Sequence, residues 1–391
     1  MRPIDIVGQS CVLPGALDPA TLADNLFAGR DAVKPVPEGR WDVRMDDVLG
    51  DGPDRTWSTA GGYVEGFASV WNPSDFLVPA DELAGLDPLF HWVLHAGRAA
   101  LRDAHLDVGA RPLRRAGAIF GNLSFPTDGM ARWGEHVVLK KNGLPAPAAD
   151  PRDRFMSGLP ADLLARALGL GGQCFALDAA CASSLYAIKL ACDALESGRA
   201  DLMLAGAVQR ADSLFLHVGF CALGAMSRRG QSRPFNVGAD GLVPAEGAAF
   251  LTLMRLDDAV RDGRRILGVI RGVGLSNDGR ARNLLAPSEE GQQRALRLAY
   301  AAAGLSPDDI QLAECHATGT PTGDRTEIAT LAGVFGRRPL HIGSFKSMLG
   351  HLITAAGAAG ILKVLAGFAR QTMPPTLHAE DPIPEIGRAH V

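Results

Sequence analysis

The sequence predicts an α/β protein wound twice, with strands and helices alternating in two successive units of similar order. Three observations lead there. From residue 116 onward, apolar runs of strand length alternate with helical periodicities. A strand, a reactive-looking loop and a small-residue helix occur in that order around Cys181 and again around Lys346. Finally, 47% apolar and 21% charged residues over 391 positions suffice for a large buried core and exclude disorder.

In chain order, PIDIVGQSCVLPG reads as a buried strand from Ile4 to Val7 running into a loop closed by Pro14-Gly15. All five tryptophans fall within the first 133 residues, a region that reads as elaborated loops and short helices over a sheet. AGAIFGNLS (116 to 124) is a strand, followed by a polar excursion and a helix in which Leu159, Leu163, Leu164 and Leu168 recur at helical spacing. Strand CFALDA, helix ASSLYAIKLACDALESG with its stop at Gly198, strand LMLAGAV and strand FLTLMRL (250 to 256) complete the first unit. The charged connector DDAVRDGRR separates units 1–257 and 258–391. The second unit predicts strand ILGVIRGVGL, helix EEGQQRALRLAYAAAGL, strand IQLAECHA, helix TEIATLAGVFG and strand LHIGSFKS. Its last helix, LITAAGAAGILKVLAGFA, is built of alanine and glycine and interrupted by Lys363, short of the roughly 20 strongly apolar residues of a membrane span. It predicts a buried helix.

A net charge of −4 leaves no basic stripe for nucleic acid or an anionic membrane. Only six of the 39 basic residues are lysines, so a lysine inside a motif stands out. The six cysteines form no CxxC pair, and MRPIDIVGQSCVLPG lacks a basic region followed by a long apolar core, which together predict free thiols in a reducing cytoplasm. No GxGxxG opens a strand-helix-strand unit, and GxxxxGK[ST] and HExxH are missing, so no phosphate cradle or zinc ligand set is predicted.

Three segments carry candidate chemistry. In Asp178-Ala-Ala-Cys181-Ala-Ser-Ser a cysteine sits between a strand and the first turn of a helix, where free N–H groups favour thiolate and small neighbours admit a carbonyl. The competing reading is a core cysteine, which Cys174 and Cys192 fit better. Glu314-Cys315-His316-Ala317-Thr318-Gly319-Thr320 puts a histidine at a strand end, suited to proton transfer or carbonyl polarisation. Asp324 and Glu327 behind it stand at capping-box spacing and predict helix capping. Gly343-Ser-Phe-Lys346-Ser-Met-Leu-Gly-His351 brings a lysine and a second histidine to another strand end. Taken together, these residues lie where doubly wound folds place their sites.

These segments resemble the active-site signatures of the β-ketoacyl synthases, the decarboxylating condensing enzymes of fatty acid and polyketide synthesis. DAACASSL resembles the nucleophile motif; ECHATGTPTGDRTE resembles the second, usually with Gly where Ala317 stands; GSFKSMLGHLITAAGAAGILK resembles the third. IVGQSCVLPGA, RWD, RPFNVGADGLVPAEGAA and APSEEGQQRALRLAYAAAGLSPDDI agree as well. The resemblance implies a thiolase-like fold, two similar halves in stacked α/β/α/β/α layers, and a homodimer. It implies that Cys181 accepts the acyl chain, that His316 and His351 bind the malonyl thioester carbonyl, and that Lys346 tunes the pocket. Thr318 and Thr320 match positions contacting the phosphopantetheine arm of an acyl carrier protein, the protein itself binding no cofactor. The paired histidines and Lys346 set the chain apart from thiolases. The opening and the APSEEGQ stretch look more like polyketide and polyunsaturated fatty acid multienzymes. The family normally continues past the PPTLH region into strands with a GFGGTN-like loop supplying an oxyanion N–H, so the chain to Val391 resembles a truncated domain. Two alternatives stand beside condensation: a catalytically silent scaffold, and a cysteine acyltransferase or hydrolase that releases the chain to another acceptor.

Overall fold

The computed structural model describes residues 2–280, 286–336 and 338–387, so the end at Val391 lies outside the described residues. The strands that organise the molecule are β1 (Ile4–Val12), β2 (Ala116–Asn122), β3 (Cys174–Leu177), β4 (Leu202–Gln209), β5 (Gly247–Arg255) and β6 (Gly268–Ile270). Side by side they run β3-β2-β4-β5-β1-β6. β2 is parallel to β3 and β4, whereas β5 runs antiparallel to β4 and β1. All eight residues of β4 are buried, as a near-continuous apolar run covered on both faces requires.

On one face lie α1 (Pro88–Asp103) and α3 (Leu159–Leu168), whose Leu89, Val93 and Leu164 share a core with Phe120 and Phe250 of the sheet. Between them in sequence, α2 (Asp128–Lys141) has no buried residue. α4 (Ser183–Glu196), which follows β3, covers the other face; α5 (Ser213–Ala222) follows β4. The second half contributes α6 (Glu289–Ala303), strand β7 (Leu312–Glu314), α7 (Pro321–Phe335), strand β8 (His341–Gly343), the single turn α8 (Lys346–Leu349) and α9 (Ala356–Arg370). β7 and β8 pair in parallel, as β2 and β3 do. α9 shares the core of α4, and α6 and α7 pack with the β7–β8 pair through Tyr300, Ile328 and Phe335. The order is therefore helices, sheet, helices, strand pair, helices, the thiolase-like layering. α9 needs small residues for this: a Cβ on Gly357 would come within 2.7 Å of Leu185 and 2.8 Å of the Ser184 hydroxyl on α4.

The apolar stretch Ile353–Arg370 is long enough to cross a bilayer, yet 67% of it is buried inside the protein. It is a core helix, as predicted.

Several elements differ from expectation for identifiable reasons. β1 runs to Val12, because it pairs with β5 along its whole length, across an irregularity between Ile6 and Gly8. The three strands predicted for the second unit shrink to three residues each, since only those residues find a ladder partner. Helix α1 was unpredicted although its signals are present: its apolar residues, among them Leu89, Trp92, Val93 and Ala100, recur at helical spacing, Asp87 caps it and Pro88 opens it. α2, by contrast, presents no apolar face to the core. Cys174 is the first residue of its strand and half-buried, while Cys192 is fully buried on α4. All six cysteines are free.

One core position works against stability. Asp5 on β1 is 0% exposed, and neither carboxylate oxygen has a hydrogen-bond partner among the described residues. Burial pushes its pKa up to about 6. The folded state then holds a proton that the unfolded chain releases near pH 4, so the penalty grows between those values and is complete above pH 6. Asp5→Asn is expected to raise stability at pH 8 by about 1–2 kcal/mol and to change little at pH 4. Thermal melts of both proteins at the two pH values check this; equal melting temperatures at pH 8 would refute it.

Candidate active site

Three loops, each after a strand end, converge in a cleft of about 390 Å³ lined by Cys181, Cys315, His316, Phe345, Lys346 and the α9 face around Gly357 and Gly360. The loop after β3 carries Cys181 in a single 3-10 turn, Ala180–Ala182, ahead of α4. Ala180 is held at φ +48, a left-handed conformation that costs a non-glycine residue energy. The surrounding bonds enforce it: Ala180 N–H donates to Asp178 (2.9 Å), Ala179 N–H to the Ser183 hydroxyl (2.8 Å), and that hydroxyl to the Ala180 carbonyl (2.7 Å). Asp178 also accepts from Ser124 N–H at 2.8 Å. The cysteine is thereby fixed beside, rather than within, the helix.

Its sulfur lies 3.0 Å from Nε2 of His351. The His316 ring stands edge-on to that of His351, centroids 5.2 Å apart at 86°. Cys181 Sγ and one ring nitrogen of each histidine fall within 4.8 Å of one another. His351 is buried, while His316 opens to the cleft. Ile353, two residues past His351, is a β-branched residue at φ +44, locked where the Thr354 hydroxyl donates to the Val208 carbonyl at 2.6 Å. Lys346 is 2% exposed; its Nζ approaches the Cys315 carbonyl (3.5 Å) and lies 4.7 Å from the centre of the Phe345 ring.

Electrostatics keep both imidazoles neutral. Burial, then the neighbouring His316 and Lys346, pushes the His351 pKa well below the usual histidine range. His316 moves the same way, through desolvation and then Lys346, although its cleft edge meets solvent. Burial also lowers Lys346, opposed by Glu314 and Glu327. Cys181 departs from the prediction: desolvation outweighs Lys346 and its own N–H, and the thiol is pushed up to about 11. The resting sulfur is protonated, and His351 is the base within reach.

The acidic pair also departs from prediction. α7 starts at Pro321 with Thr320 at the cap position, so Asp324 and Glu327 lie inside the helix and do not cap it. Asp324 accepts from Thr318 N–H (3.0 Å), Gly319 N–H (3.3 Å) and, from a distant loop, Phe235 N–H (2.8 Å). Glu327 accepts from His316 N–H and Ala317 N–H, both at 2.7 Å. Together they shape the histidine loop. Thr318, buried, and Thr320 lie on this loop with their hydroxyls 3.0 Å apart. Sequence reasoning thus placed Cys181, His316, His351 and Lys346 in one site, and missed the bracing carboxylates and the strained Ala180 and Ile353. The i to i+3 acidic spacing resembles capping, and nothing local announces Phe235 as a partner.

This arrangement predicts that iodoacetamide modifies Cys181 ahead of Cys174, which is also partly exposed but has no histidine in hydrogen-bond contact among the described residues. His351→Ala should slow Cys181 labelling by about 10²-fold. Peptide mass spectrometry over time checks both, and labelling of Cys174 at an equal rate would refute the assignment.

The geometry can be set beside known proteins. The β-ketoacyl synthase N-terminal domain model matches residues 1–259 and the C-terminal domain model matches residues 267–380. A mycocerosic acid synthase-like polyketide synthase of Mycolicibacterium smegmatis is 37% identical over 381 residues, covering 97% of this chain and 18% of that protein. The pikromycin polyketide synthase component PikAIII of Streptomyces venezuelae is 34% identical over 394 residues, covering 98% of this chain and 25% of that protein. Among solved structures, the PfaC keto synthase-chain length factor superposes with a TM-score of 0.93 at 36% identity, over 98% of this chain and 43% of that one. The ketosynthase from module 6 of the bacillaene synthase of Bacillus subtilis 168 gives a TM-score of 0.84 at 32% identity, over 99% and 65%. The chain thus spans a quarter or less of these two curated relatives. With the motifs, the layering and the converging loops in agreement, the chain belongs to the β-ketoacyl synthase family.

Proposed function

We propose that this chain is a polyketide ketosynthase that moves an acyl group from a carrier protein to Cys181 and condenses it with a malonyl carrier protein. The observation carrying this reading is the 3.0 Å contact of Cys181 with a neutral His351, with a second neutral histidine alongside. In the first step the thiol proton passes to His351 as sulfur attacks the acyl thioester; the carbon–sulfur bond to the pantetheine breaks, and that sulfur leaves with the proton. The malonyl group then loses CO₂, and its electrons remain as an enolate whose oxygen accepts hydrogen bonds from the ring N–H groups of His316 and His351. Donors aimed at charge that exists only after decarboxylation favour the transition state over the ground state. The carbanion attacks the Cys181 thioester, a carbon–carbon bond forms, and Cys181 is expelled.

In this reading Lys346 orders the histidine loops, and Thr318 and Thr320 contact the pantetheine arm. The domain needs no cofactor of its own and acts as a homodimer in the cytoplasm, with its halves at 1–257 and 258–391. The polyketide branch is supported by relatives of that description.

His316→Ala is expected to reduce decarboxylation of a malonyl thioester by about 10²-fold or more while leaving Cys181 acylation within a few-fold. His351→Ala, which removes the group touching sulfur, should impair both steps. Radiolabelled CO₂ release and acyl-enzyme formation on the same preparations separate them. Equal loss of both steps in His316→Ala would overturn the assigned division of labour.

A further inference from the structure

Lys363 is 1% exposed in the middle of α9, a position where a long cation is costly without a partner. Its partner is Glu314, the last residue of β7, at 2.7 Å. The other oxygen of the same carboxylate accepts from Phe345 N–H at 2.7 Å. Glu314 is two residues before His316, and Phe345 immediately precedes Lys346. One carboxylate therefore joins the histidine loop, the lysine loop and the helix that follows His351. Two glycines clear the space: a Cβ on Gly343 would lie 3.0 Å from the Lys363 Nζ, and one on Gly360 would lie 3.3 Å from the Glu314 side chain.

We infer that Lys363 is a positioning residue: it holds the Glu314 carboxylate on the Phe345 amide and offsets that carboxylate's negative charge in the cleft that Glu314 and Cys181 both line. The inference rests on the proposed role of these loops. The charged and titratable groups facing Lys346 are Glu314, Glu327, Cys181 and Cys315, with His316 and His351 beside it. Cys181 faces Lys346, Asp178 and His351. Without Lys363, the Glu314 charge stands uncompensated in the cleft that Cys181 lines, and a nearby negative charge disfavours the Cys181 thiolate directly. Removing both members of the pair restores the balance.

The test follows the rate of Cys181 alkylation by iodoacetamide against pH in the full chain, which requires no turnover. Lys363→Met is expected to move the midpoint upward by at least about 0.5 pH unit. The double variant Glu314→Gln/Lys363→Met should return it to that of the unaltered chain, a rescue that a purely structural lysine would not show. An unshifted midpoint in Lys363→Met, or a double variant shifted as far as the single, overturns the inference. Circular dichroism controls for folding. If Lys363→Met unfolds while the double variant folds, charge pairing is supported; if both unfold, Lys363 serves the fold alone and the inference falls. Release of CO₂ from a malonyl thioester by the unaltered chain tests the condensing reading separately.

Discussion

The contact of Cys181 with His351 depends on how closely α9 lies on α4. The two residues are 170 positions apart, one leading into α4 and the other preceding α9. Gly357 lets the helices touch, and Ala358 N–H donates to the Ser184 hydroxyl at 3.1 Å, in the first turn of each helix after the reactive loops. A Cβ at 357 would meet the Leu185 and Ser184 side chains at 2.7 and 2.8 Å, so the helix contact beside the loops would have to give. The small-residue composition of α9, which in isolation suggests only a buried helix, is thus the condition for a two-loop site.

Much of that site was legible before any fold was known. Cysteine, histidine and lysine at the ends of apolar strands, each followed by small residues, already point to reactive groups at the mouth of a sheet. Local chemistry determines those positions. The bracing of the loops was not legible, because it is set by tertiary partners. Asp324 finds Phe235 N–H 89 residues away, and Glu327 turns back to amides on the loop before its own helix. The left-handed Ala180 and Ile353 are likewise dictated by surroundings, since neither residue type favours positive φ. α2 went unread because it presents no apolar face to the core, whereas α1 carries the helical period and cap signals and was legible but not picked out.

The prediction that Cys181 would favour thiolate considered only the helix end. The sulfur instead sits in a 3-10 turn, partly buried, and desolvation dominates. Its reactivity then has to come from a base in contact, and not from a resting negative charge. A neutral thiol beside a neutral imidazole also leaves Lys346 as the cation nearest the sulfur, which suits the anionic malonyl group of the proposed reaction.

The carboxylates explain why the imidazoles stay neutral. In a hydrolytic triad a carboxylate bonds the histidine ring, orients it and stabilises its protonated form. Here Glu314, Asp324 and Glu327 all lie close to the site, yet each directs its oxygens to backbone N–H groups or to Lys363. Nδ1 of His351 has no partner among the described residues. With no carboxylate on either ring among the described residues, desolvation and Lys346 act unopposed, and both pKa values fall instead of rising. A histidine so placed takes a proton only while a thiol gives one up, and otherwise offers N–H to an oxygen that becomes negative. That is the requirement of an enolate-forming condensation more than of a hydrolase, whose histidine must remain charged through a tetrahedral intermediate.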